Sequence, residues 1–141
     1  AYPQARLQRT EYRMSESWLH PAALKGNGIL TIKPRPRYAA HHPLVIDLHG
    51  VFDRMTAKEL KRRIKAYLEG NRDHLAINFS GVTSTEQGAL LSFLKRLKRN
   101  KQRIKIISID SFGSDMADVV NYAKTYFEVF MDVEGLTASL A

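Results

Sequence analysis

The sequence contains no cysteine. Disulfides, thiol nucleophiles and thiolate metal sites are therefore excluded, which fits a reducing compartment. Nor does any apolar run approach the roughly 20 residues that a bilayer-spanning helix needs. The opening stretch, AYPQARLQRTEYR, lacks the apolar core of a secretion signal, so a cytoplasmic location is expected. Gly-rich phosphate loops are also missing, because Gly26-Asn27-Gly28 has neither further glycines nor a preceding strand. No GxSxG elbow occurs. His20, His41, His42, His49 and His74 make no HxH or HxxxH pair on a predicted helix and read as surface residues, not metal ligands. Without a nucleophile–base pair, a metal constellation or a nucleotide loop, no catalytic residue and no cofactor is expected. The chain does not read as an enzyme.

What is present is one domain's worth of chain: 141 residues, 44% hydrophobic and 26% charged, within the globular range. The formal net charge of +8 is concentrated in the middle, where residues 51–105 carry 14 basic and 5 acidic side chains. Residues 106–141 carry 1 basic and 6 acidic. Nucleic acid, anionic lipid and an acidic protein surface could each answer such a middle, and so could plain solvation of helix faces. KELKRRIK and LKRLKRNKQRIK are the polar sides of amphipathic patterns and interleave no aromatics for base stacking. A nucleic-acid-binding domain is kept only as an alternative, with sequence-specific binding not expected.

Residues 1–28 show no clean period and read as a tail or a short docked helix around Ser15–Leu24, held through Trp18. The body runs from residue 29 to 141. ILTIK (29–33) and LVIDLH (44–49) read as strands, separated by the proline-marked PRPRYAAHHP. MTAKELKRRIKAYLEG (55–70) reads as a helix with a Thr56–Glu59 capping box, a stripe of Ala57, Leu60, Ile64 and Leu68, and Gly70 as its stop. HLAINF (74–79) is the next strand. Leu90, Phe93, Leu94 and Leu97 define a helix over about 85–100. RIKIISID (103–110) is a buried strand, SDMADVVNYAKTY (114–126) a third helix, FEVF (127–130) a short strand and DVEGLTASL (132–140) a small helix. Strands alternating with single amphipathic helices imply an α/β fold: a mostly parallel central sheet with helices covering it, three or four of them on one face.

The words at the joints carry a resemblance. LVIDLHGVFDRMTAKEL (44–60) resembles the L-x-G-x-x-D-x-x-T-A-x-x-L stretch of STAS domains, the sulfate-transporter and anti-sigma-factor-antagonist family, with Gly50, Asp53, Thr56, Ala57 and Leu60 at matching places. HLAINFSGVTSTEQGALLSFLKRLKRNKQRIKIISI (74–109) is similar to the family's next unit, and YFEVFMDVEGLTASL (126–140) to its closing segment. The resemblance implies one STAS-like domain over 29–141 that works by protein–protein contact: a bacterial, cytoplasmic signalling regulator like an anti-sigma factor antagonist. Its implied partner is a kinase-like anti-sigma factor. The alternative is an accessory subunit that docks the ATPase of a membrane transporter, including lipid transporters.

The departure from the family falls in the loop Thr85, Glu86, Gln87, Gly88. Aligning Gly88 with the family's glycine puts Glu86 where family antagonists carry a phosphorylated serine. A carboxylate there has a single charge, less than the roughly −1.5 to −2 of a phosphate, and no phosphatase removes it. Two compatible readings stand. Thr83 with Glu86, or Ser84 with Gln87, is a capping box for the helix that follows. Or the loop is a docking surface whose switch is absent or displaced to Ser84 or Thr85, with Ser84 the hydroxyl expected to be consumed as the cap. The docking residues implied are Asp53, Arg54, Met55, Thr83, Ser84 and Glu86.

Overall fold

Successive strand residues point to opposite faces of a sheet, so the position of the apolar ones decides where helices can pack. The computed structural model describes residues 19–36, 42–70, 73–109 and 117–140. These form strands β1 (Ala22–Lys25), β2 (Ile29–Pro34), β3 (Leu44–Phe52), β4 (Leu75–Thr85), β5 (Ile104–Ile107) and β6 (Glu128–Phe130). Helix α1 (Arg54–Gly70) joins β3 to β4, and α2 (Ala89–Leu97), extended by a 3-10 turn over Lys98–Asn100, joins β4 to β5. Helix α3 (Ala117–Tyr126) precedes β6, and α4 (Val133–Ser139) follows it. The described strands make one sheet in the order β1-β2-β3-β4-β5-β6, antiparallel from β1 to β3 and parallel from β3 to β6.

A sheet that grows one strand at a time in one direction, through right-handed crossovers, sends every crossover helix to the same face. Ile46 and Leu48 of β3, Leu75, Ile77 and Phe79 of β4 and Ile104 and Ile106 of β5 turn to that face. They share one buried cluster with Leu60 and Ile64 of α1, Leu90, Phe93 and Leu94 of α2 and Val119 and Ala123 of α3. On the other face a smaller cluster of Ala76, Ile107 and Leu136 lies under α4. Three helices cover one side and the fourth protects the opposite side at the β4–β6 end. The rest of that second face mixes polar residues with Ala23, Ile29 and Val51, and Asp47 there accepts from Arg35 Nε (2.6 Å) and Asn78 Nδ2 (2.7 Å).

Two expectations fail in the first part of the chain. Residues 22–24, expected within a helix, belong to β1, which pairs with β2 from Ala22↔Ile32 to Lys25↔Ile29. Gly26-Asn27-Gly28 is then a hairpin turn inside the sheet, while residues 15–18, including Trp18, lie outside the described ones. The cap of α1 also differs. Asp53 and not Thr56 is the cap residue: its Oδ1 accepts the Thr56 N–H (2.9 Å), and Thr56 Oγ1 accepts the Asp53 N–H (2.9 Å). The box is real but begins three residues earlier, with threonine as the reciprocating side chain. Glu59 turns instead to Arg62 (2.6 Å) and Arg63 (3.1 Å) on the helix surface.

The second oxygen of Asp53 reaches the hairpin turn. Oδ2 accepts from the backbone N–H of Asn27 (2.8 Å) and of Gly28 (3.2 Å). The fit is tight enough that a Cβ on Gly26 would overlap the carboxylate. One side chain, 3% exposed, therefore joins the β1–β2 turn, the end of β3 and the start of α1. At the far end of α1, Arg103 donates to the Leu68 carbonyl (2.9 Å), satisfying one of the acceptors that helix ends leave open.

Asp53 sets an acid limit on the fold. Burial works to raise its pKa, but N–H groups of Thr56, Gly28, Asn27 and Met55 stabilise the charged form and hold it below the ordinary 3.8. A group with a depressed folded-state pKa contributes stability above its unfolded pKa, near 4, and loses it as pH falls through the folded value. Asp53→Ala, which strands several buried donors, should lower urea-unfolding stability at neutral pH by about 2–3 kcal/mol. Below about pH 4 the wild type should lose stability toward Asp53→Asn, which has no such carboxyl to protonate. Parallel pH curves for the two proteins would contradict this.

Candidate functional site

The carboxyl ends of parallel strands are where α/β folds gather their functional loops. Here β3 and β4 outrun their neighbours. β5 pairs with β4 only as far as Asn78, while β4 continues to Thr85, pairing Gly81, Val82, Ser84 and Thr85 with His49, Gly50, Val51 and Phe52. Register shifts between Asp47 and His49 and between Gly50 and Val51 mark irregularities where the pair leaves the main sheet. Beneath it Phe52 meets Phe79 (6.0 Å between ring centroids) and Phe93 (5.1 Å), both edge-on, tying β3, β4 and α2 together.

Because β4 runs on to Thr85, Thr83 and Ser84 are extended strand residues and stand too far back to cap α2. Neither expected capping box forms there. Thr83 Oγ1 donates to the Gly50 carbonyl (3.1 Å), and the side chain of Ser84 makes no hydrogen bond among the described residues. Ser84 is thus an exposed strand hydroxyl and not the cap it was expected to be. Gly88 occupies the N-cap of α2 at φ 81°, with no side-chain cap bond. That left-handed backbone is why a glycine stands here.

Glu86 caps a different helix. Its N–H donates to the Phe52 carbonyl (2.9 Å), continuing the strand pairing by one bond. Its Oε2 accepts the N–H of Arg54 (2.7 Å), the first residue of α1. A carboxylate at a helix N-terminus is favoured by both the free N–H and the helix dipole. Arg54 Nε lies 3.8 Å from the same oxygen, an exposed pair of small energetic weight. The start of α1 is therefore held by two carboxylates, Asp53 from inside and Glu86 from the neighbouring loop.

Of the residues expected to dock a partner, Arg54 and Glu86 are bonded to each other with Gly88 beside Arg54, and Thr83 and Ser84 lead into the same loop at the end of β4. Met55, the next residue of α1, is 59% exposed and lines a second groove with Lys25, Lys58 and Glu59. Asp53 is the exception: buried, with its oxygens turned to backbone N–H groups, it supports the start of α1 from below. Thr85 is half-buried in the strand. Among the described residues no group of three or more His, Asp and Glu side chains could hold a metal ion.

Beside the loop, α1 and α2 leave a groove of about 450 Å³. Arg54, Lys58 and Lys61 line it from α1 and Ser92 and Arg96 from α2, over a floor of Ala57, Ala89 and Phe93. Six of the cations expected on helix surfaces, Lys58, Arg62, Lys95, Arg96, Lys98 and Arg99, are exposed, while Lys61 is half-buried. The i, i+4, i+7 spacing of Arg54, Lys58 and Lys61 was a sequence signal for one basic wall. That Arg96 would stand opposite required the helix pairing.

A family model described as "Mlab, STAS domain" matches residues 38–125. The chain belongs to the STAS domain family. Comparison with curated proteins finds no match. Among solved structures it is similar to that of the anti-sigma factor antagonist SpoIIAA in its unphosphorylated form, with a TM-score of 0.51 at 16% identity, covering 77% of this chain and 96% of that one. At this identity the likeness concerns the fold.

Removing the Glu86 carboxylate should loosen the loop from α1 without unfolding the domain. Glu86→Ala is expected to cost about 1 kcal/mol in urea unfolding, and Glu86→Ser less, since a shorter hydroxyl also suits a helix start. Gly88→Ala should cost about 1–2 kcal/mol from backbone strain alone. A Glu86→Ala protein as stable as the wild type would show that the bond to Arg54 contributes nothing.

Proposed function

We propose that the chain is a regulator that works by protein–protein contact, docking its partner across the surface of Arg54, Met55, Thr83, Ser84, Gln87 and Gly88. The observation that carries this reading is the bond between Glu86 and the first N–H of α1. It fixes an otherwise exposed loop and helix start as one preorganised surface, which lowers the entropy lost on binding. Exposed Met55, next to Arg54 on α1, adds an adaptable apolar contact at its edge.

In this reading Glu86 stands where antagonists of the family carry their phosphorylated serine. Its carboxylate is already bonded to α1 and is neither added by a kinase nor removed by a phosphatase, so the docking surface has no phosphorylation switch at this position. Any covalent control falls to a neighbouring hydroxyl, and Ser84, exposed and unbonded, is the better placed. The partner class is a kinase-like anti-sigma factor by likeness to the antagonist fold. The family's transporter-linked members supply the competing partner, a transporter ATPase. The chain acts by contact and not by catalysis, in keeping with its family.

Affinity capture from the protein's own cells, with the captured partner then titrated against purified variants, tests this. Met55→Glu and Glu86→Ala should each weaken the partner at least roughly tenfold. Lys33→Glu, an exposed change on β2, should not. A captured kinase-like protein supports the first partner class, and a transporter ATPase the second. Stoichiometric phosphate on Ser84 that alters binding would show a displaced switch. If Met55→Glu and Glu86→Ala leave the affinity untouched, the loop only shapes the fold and the docking surface lies elsewhere.

A further inference from the structure

Four cations face one groove, and the carboxylates near it are committed elsewhere. Glu59 is paired with Arg62 and Arg63, and Glu86 with the start of α1. Lys58, Lys61 and Arg96 have no ion-pair or hydrogen-bond partner among the described residues, and Arg54 has only its long contact to Glu86. The crowding is felt by Lys61, whose ammonium is held below its ordinary pKa first by burial and then by Arg96, Lys65 and Lys58. Like charges gathered in a concave site with low-dielectric walls focus a positive field that an anionic occupant relieves. The floor of Ala57, Ala89 and Phe93 is closed, at 6%, 2% and 2% exposed, so the apolar contact open to that occupant is the methylene stems of the lysine and arginine walls.

We propose that the groove between α1 and α2 is a recognition site for an acidic, amphipathic segment of a protein partner, carboxylates to the charged ends of the walls and apolar side chains to their methylene stems. A nucleic-acid strand fits less well, because such strands stack bases on exposed aromatics. Phe93, the aromatic in the lining, is 2% exposed with its ring edge-on to Phe52. A bilayer is flat and cannot enter a recess between two packed helices. The inference deepens the docking reading above, since Arg54 and Gly88 belong both to the loop surface and to the groove.

The test uses the full chain and a fluorescent synthetic helical peptide with one glutamate-rich and one leucine-rich face, titrated by anisotropy at low and physiological salt. Binding should be detectable, weaken with salt, and fall at least roughly tenfold in Lys58→Glu/Lys61→Glu. The matched double variant Lys95→Glu/Arg99→Glu removes the same charge from exposed positions outside the groove and should leave binding unchanged. Circular dichroism confirms that both variants fold. Equal losses in the two variants, or no binding to the wild type, would overturn the proposal. So would oligothymidine or phosphatidylglycerol vesicles that bind more tightly than the peptide and lose affinity only in the groove variant. If the groove variant leaves the peptide's binding intact while Met55→Glu still weakens the captured partner, the groove fails and the docking reading stands.

Discussion

The fold turns on one buried carboxylate. Left unpaired, the charge of Asp53 inside the protein would cost several kcal/mol. It is stable because backbone donors from two separate parts of the chain converge on it: Thr56 at the start of α1 and Asn27 and Gly28 in the hairpin turn. The arrangement dictates what lies around it. Gly26 must carry no side chain, Thr56 must return a hydroxyl to the Asp53 N–H, and β3 must end where α1 begins. The two antiparallel strands at the sheet's edge are thereby fastened to the parallel half at a point directly below the exposed loop.

Glu86 repeats the device at the surface. Asp53 caps α1 from within the same chain segment, whereas Glu86 reaches it from the β4–α2 loop and so couples two successive β–α joints. Together with the Phe52, Phe79 and Phe93 contacts underneath, this makes the carboxyl ends of β3 and β4 a rigid platform. Its edge continues without interruption into the basic groove. A shape of this kind suits recognition: a fixed acid, an exposed methionine and a positive channel, each held by backbone bonds or helix packing and not by mobile side chains alone.

Much of this was legible in the residues. The apolar stripe of α1, the Leu90–Leu97 helix and the isoleucines of β5 gave the α/β order, because core periodicity is a strong signal. The joint words around Gly50, Asp53 and Thr56 gave the family. What escaped had identifiable physical causes. β1 was hidden because AALK is short and its pairing with ILTIK is a long-range matter of hydrogen bonds. The polar end of β4, SGVTST, looked like a loop since among the described residues it pairs with β3 alone and needs no apolar alternation. Glu86 was read as a cap for the helix it precedes in sequence, when the free N–H it satisfies belongs to a helix that starts 32 residues earlier. Proximity in the fold, not spacing in the chain, chose its partner.

The most direct measurement of the central claim is hydrogen exchange of the full chain with and without its captured partner. Docking across the loop and the start of α1 predicts added protection in residues 54–58 and 83–92, with the polar sheet face around Thr31–Arg35 unchanged. Protection confined to that opposite face, with the Glu86 loop exchanging as in the free protein, would contradict it.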